Sequence, residues 1–176
     1  MDAVEKSEIL DALQQSRRSF LNSVNGVTEE LATRSPGEGR WSILEAAEHV
    51  AVSEGYLSSL IAQAKDCESS IVNESRVALF LAQGADRSRS KMSPEVVRPT
   101  ARFATLAEAI RHFSISRGRT IYFLEGCEED LRLKMATHPL LGPVNCYEVL
   151  ALMAAHTCRH AKQICEIRTC VVSTKG

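Results

Sequence analysis

Three histidines carry the chemistry that this chain could do. His156 and His160 stand four apart in "HTCRHAKQICEI", a stretch that otherwise reads as buried helix. Residues at this spacing lie one turn apart on the same helix face. With His156 set at zero on a helical wheel, His160 falls at about 40° and Gln163 at about −20°. Val149, Leu152, Met153 and Ile167 all fall within about 60° of the same line, so the pair occupies the middle of an apolar stripe. Cys158 and Cys165 fall close to the opposite side and cannot share a metal with these imidazoles on a straight helix. A third imidazole, His49 in "AAEHVAVSEGYL", shares a face with Ala46, Ser53, Tyr56, Leu57 and Leu60. Three core-facing imidazoles drawn from two helices have the composition of an open three-histidine metal site. Zinc, nickel and iron all suit such a ligand set. The plain alternative is a set of hydrogen-bonded core histidines with no ion.

The elements that must position these residues are helical. Ile9, Leu10, Leu13, Phe20, Leu21 and Val24 recur at three- and four-residue spacing, which predicts a helix over about 7–24. Ser42 and Glu45 in "SILE" form a capping-box pattern that opens a second helix, over about 42–65. Thr105 and Glu108 in "TLAE" repeat the pattern and open a third, over about 105–126. Asn145 with Glu148 opens the fourth, over about 145–169, just after the chain breakers Gly142 and Pro143. Roughly 38 residues separate the second and third helices, which is long for a structureless loop, and "ESRVALFLAQ" predicts a short helix inside it. No strand or hairpin pattern stands out. The reading is a single all-α domain over residues 1–176, a four-helix bundle with a long connection between helices 2 and 3.

Composition narrows the function classes. The chain has 176 residues, 44% hydrophobic and 24% charged, with a net charge of −1, which fits a globular domain and gives no global field for nucleic acid. Arg87, Arg89, Lys91, Arg98 and Arg102 form a local basic cluster that reads as solvated loop, without the interleaved aromatics that single-strand binding wants. No apolar run reaches transmembrane length, and the acidic start "MDAVEKSEIL" is unlike a signal peptide, so a cytoplasmic protein is expected. The six cysteines include no C-x-x-C pair and read as buried free thiols acting as small apolar residues. Nucleophile elbows, phosphate loops and dinucleotide fingerprints are all missing.

Two blocks add a resemblance. "GRWSILEAAEHVAVSEGYL" carries Trp41, Ser42 and His49, and "HPLLGPVNCYEVLALMAAHTCRHAKQI" carries His138, Pro139, Gly142, His156, His160, Gln163 and Ile164. Together they resemble the DinB/YfiT-like family. The resemblance implies a four-helix bundle with a divalent metal on His49, His156 and His160, and commonly a homodimer. It also implies thiol-dependent transferases or isomerases that use a low-molecular-weight thiol. Where some relatives place an acidic residue a turn after the first histidine, this chain has Ser53, with Glu54 next.

The expected reaction is activation of such a thiol, or of water, for attack on a small electrophile. Glu45, Ser53, Tyr56, His138 and Gln163 are the candidate pocket or supporting residues. Glu45 is also the capping residue of its helix. The partners expected are a small-molecule substrate and a second copy of the chain, with no nucleic acid and no membrane. A non-catalytic metal-binding or stress-response module, and a helical interaction protein with buried histidines, are the competing classes.

Overall fold

The computed structural model describes residues 1–68, 74–83, 86–88 and 93–173. Four long helices dominate: α1 (Ala3–Val24), α3 (Ile43–Ala62), α5 (Leu106–Gly126) and α6 (Cys146–Ser173). Two shorter ones, α2 (Glu29–Ala32) and α4 (Glu74–Gln83), lie in the connections. Caps fix the starts. Asp2 opens α1 and Ser42 opens α3 with reciprocal capping boxes, and Thr105 accepts from the Glu108 amide at the start of α5. The Asn145 amide carbonyl accepts from the Glu148 N–H at 2.8 Å, and the Glu148 carboxylate accepts from the Asn145 N–H at 3.0 Å. That exchange starts α6 where the sequence places it.

The predicted bounds shift at the ends. Helix α1 begins at Ala3 because Asp2 caps it, α3 stops at Ala62, and α6 runs on to Ser173. The all-α four-helix bundle is borne out, with one small addition that no strand pattern in the sequence announces. A three-stranded antiparallel sheet of β1 (Lys65–Asp66), β2 (Lys134–His138) and β3 (Gly142–Asn145) closes one part of the molecule. The β2–β3 hairpin turns through Pro139-Leu140-Leu141, with His138 opposite Gly142. Proline suits the second position of such a turn, and Gly142, at φ 71°, supplies the left-handed residue that ends it.

Helix contacts define the order around the bundle. Helix α1 packs on α6 and α5, and α3 packs on α5 and α6. The consecutive long helices α1 and α3 are therefore diagonal to each other, as are α5 and α6. The hairpin before α6 lies in one of the segments that must cross a bundle end. Among the described residues no helix is long and apolar enough to cross a membrane.

The core has two apolar clusters with a polar layer between them. One holds Leu13, Leu57, Ile121 and Met153, the other Phe20, Val50, Phe113 and Ala161. On each long helix one residue falls between the two: Ser16, Glu54, Arg117 and Thr157. Arg117 is fully buried and bonds Glu54 through two contacts of 2.6 and 2.8 Å. It also donates to Ser16 Oγ, Thr157 Oγ1 and the carbonyls of Leu13 and Met153. A buried guanidinium is tolerated because every direction of its fork finds an acceptor.

The described part of the basic cluster is surface loop as expected, with Arg98 and Arg102 exposed and Arg87 half-buried, and its guanidiniums also find partners. Arg102 pairs with the buried Glu48, Arg87 pairs with Glu166, and Arg98 donates to the Ser93 carbonyl. Arg89 and Lys91 lie outside the described residues. The cysteine expectation holds for Cys146, which is buried, and fails for Cys165 and Cys170, which lie exposed on the outer face of α6. Cys67, Cys127 and Cys158 are half-buried.

Candidate metal centre

The cap at Ser42 sets the phase of α3 so that His49, two turns on, faces inward at 3% exposure. The connection fixes the ring. The His49 Nδ1 lies 2.7 Å from the Val97 carbonyl oxygen. A carbonyl can only accept, so Nδ1 carries the proton and Nε2 presents its lone pair. Val97 is held there in turn: the buried Glu48 carboxylate accepts from the Thr100 N–H at 2.8 Å and from Arg102 at 3.0 Å. On α6, His160 Nδ1 donates to Gln163 Oε1 at 2.7 Å, which likewise leaves its Nε2 as the acceptor nitrogen. His49 Nε2 and His156 Nε2 are 3.0 Å apart. Trp41, just ahead of the cap, lies beside the cluster with its ring 5.0 Å from His49 and 6.3 Å from His160.

The donor set fits a divalent ion. One ring nitrogen from each of His49, His156 and His160 lies within 4.8 Å of the others. A tetrahedral ion with bonds of about 2.0–2.1 Å to nitrogen spaces its ligands about 3.3 Å apart, inside the range these atoms span. The outer nitrogens of two rings are already engaged by a carbonyl and an amide, the arrangement that orients metal-bound imidazoles. Burial depresses the basicity of all three rings. It pushes His49 down, against the opposing effect of its bond to Val97. It holds His156 well below the usual range, with the neighbouring His160, His49, Arg159 and Arg117 adding repulsion. It takes His160 to about 3, helped by His49 and opposed by Gln163. Neutral imidazoles are the form that binds metals.

The cluster stands in the wall of a cavity of about 550 Å³. Leu57, Tyr56, Phe80, Leu141 and Leu152 give it an apolar side, and Arg87, Arg159 and Glu166 a charged one. The connection between α3 and α5 supplies part of the lining through Phe80, Arg87, Ser93, Pro94 and Val97.

The structure brings together most of the residues singled out from the sequence. Ser53, Tyr56, His138 and Gln163 line the cavity beside the three histidines. Glu45 does not: its carboxylate accepts from the Ser42 N–H at 2.7 Å and serves the cap. Glu54 turns into the polar layer toward Arg117. His112 is exposed on α5, with its ring against Phe103. Sequence reasoning missed the Val97 carbonyl, which has no side-chain signal, and Arg159, a buried cation on the α6 face beside His160.

Comparison with known proteins agrees with the fold. The profile of the DinB superfamily matches residues 12–164, and the chain belongs to that superfamily. Among solved structures it is similar to YfiT from Bacillus subtilis, with a TM-score of 0.61 and 13% sequence identity over 95% of this chain and 87% of that one. YfiT is described as "a probable metal-dependent hydrolase with an unusual four-helix bundle topology". At this identity the likeness shows the shared fold. None of the curated proteins matches the chain.

Proposed function

We propose that this chain is a divalent-metal-dependent enzyme in which His49, His156 and His160 hold the ion. The reaction is attack of water or of a low-molecular-weight thiol on a small electrophile, of hydrolase or S-transferase type. The observation that carries the reading is the placement of three neutral imidazoles in the wall of an open cavity. A purely structural site closes its coordination with protein ligands, and a catalytic one leaves a position for a reactant. Among the described residues no carboxylate or thiol joins the three histidines.

A divalent ion there, whether zinc, nickel or iron, supplies Lewis-acid stabilisation of developing negative charge. The residues of the chain do the rest. Val97 and Gln163 hold the Nδ1 protons of His49 and His160, so both Nε2 lone pairs stay directed inward. Burial keeps the rings unprotonated at neutral pH. Leu57, Phe80 and Leu152 limit bulk water and favour a compact substrate. The reading includes assembly as a homodimer, which sedimentation equilibrium measures, and a cytoplasmic location.

Turnover assays on metal-loaded protein test the activity. Activated esters and amides probe water as nucleophile, and epoxides with added low-molecular-weight thiols probe transfer. The expected result is turnover in one of the two classes, lost in His160→Ala. A flat response in both classes with the ion bound would replace the enzyme reading with a metal-binding module.

A further inference from the structure

The hairpin that precedes α6 contributes His138 to the cavity wall, and its surroundings fix what that ring can do. The Leu140 and Leu141 N–H groups both point at His138 Nδ1, at 3.2 and 3.3 Å. Two donors on one ring nitrogen require a lone pair there, so the proton of the neutral ring sits on Nε2. The sequence "HPLLG" builds this arrangement. Pro139 has no N–H and starts the turn, the next two amides converge on the side chain that begins it, and Gly142 ends it in the left-handed region. Protonating Nδ1 would set a third N–H against those two, and burial also depresses the ring's basicity. The ring is therefore locked as a neutral donor, neither a base at Nε2 nor readily an imidazolium.

Nε2 has no protein partner among the described residues, yet His138 is only 8% exposed and lines the cavity. The surrounding wall is apolar: the Tyr56 ring stands edge-on with its centroid 6.4 Å away, and Leu140 and Leu141 are adjacent. Ser53, which also lines the cavity, has a buried Oγ that lacks a partner among the described residues. A donor left open in an apolar wall is matched by a ligand oxygen.

The geometry points to His138 as a substrate-recognising residue whose Nε2–H binds an acceptor oxygen, such as a carbonyl, on a compact and otherwise apolar substrate. This rests on the proposed function only in taking the cavity as the substrate site. It does not need the ion.

The test uses metal-stripped full-length protein and two probes of matched shape, acetophenone and ethylbenzene, titrated by methyl NMR. Wild type should bind acetophenone about fivefold to tenfold more tightly, the effect of one hydrogen bond. His138→Asn keeps an acceptor near the Nδ1 position for the turn amides and deletes the Nε2 donor. It should bring the ratio to about one, with ethylbenzene affinity and thermal midpoint near wild type. His138→Gln, which places an amide N–H near the Nε2 position, should restore part of the preference. Nitrogen NMR of wild type should show the Nε2–H form. An Nδ1–H ring, no preference in wild type, or a preference that survives in His138→Asn would each overturn the assignment. Because the ion is absent throughout, these results stand apart from success or failure of the metal reading.

Discussion

Replacing Glu54 with glutamine tests how the bundle holds its two histidine-bearing helices together. Glu54 supplies two of the six hydrogen bonds made by Arg117, and both side chains are at most 2% exposed. The remaining acceptors are neutral, so the substitution leaves a buried cation without a counter-charge while preserving side-chain shape. Breaking one partner of such a pair costs about 3–5 kcal/mol. For a chain of this size that lowers the thermal midpoint by about 6–20 °C. The effect reaches the site through α6, because Arg117 grips Thr157 and the Met153 carbonyl on either side of His156. Urea unfolding of the metal-free protein, followed by circular dichroism, measures it. The double variant Glu54→Leu/Arg117→Met removes both charges and should recover part of the loss. A single variant within about 1 kcal/mol of wild type would refute the reasoning, as would a double variant no more stable than the single.

Three further outcomes follow from the same structure. Acid should destabilise the metal-free protein. The unfolded chain takes up a proton on His160 near its ordinary pKa of 6.5 and the folded chain only near 3, so stability is present above pH 6.5 and lost as pH falls toward 3. A urea midpoint that stays flat from pH 7 to about 4 would contradict this. Thiol labelling near neutral pH should modify the exposed Cys165 and Cys170 first and leave Cys146, whose thiol burial pushes to about 11, until the chain unfolds. Mass spectrometry of partly labelled protein reads the order. Ser42→Ala removes the hydroxyl that accepts from the Glu45 N–H and should cost about 1 kcal/mol, seen as a lowered thermal midpoint.

The parts legible in the sequence are those with local periodicity. Capping pairs placed the starts of three long helices, and the wheel placed three imidazoles inward and Cys165 outward. What the sequence concealed depends on long-range pairing. Arg117 falls on the stripe of Phe113 and Leu124, where periodicity alone reads a polar interruption, and its reason is Glu54, 63 positions away. The hairpin escaped because "HPLLGP" reads as a helix breaker when only helices are sought. Its Pro-x-x-Gly spacing is nonetheless a three-residue turn signal. The Val97 carbonyl was invisible because a backbone atom has no residue type. The basic cluster reads correctly as surface, but charge alone did not show that the exposed Arg102 pairs with the buried carboxylate of Glu48. The diagonal order of the helices is set by how the connections cross, which the wheel does not report.

The central claim is that His49, His156 and His160 form one divalent-metal site, and metal titration of stripped protein with zinc and nickel tests it most directly. Calorimetry with elemental analysis should find one ion per chain. Each of His49→Ala, His156→Ala and His160→Ala should weaken binding by at least about 100-fold, since each deletes a direct ligand where supporting residues alone account for about 10–100-fold. The account would be contradicted by protein that takes up no stoichiometric metal, or by a His156→Ala variant that binds the ion as wild type does.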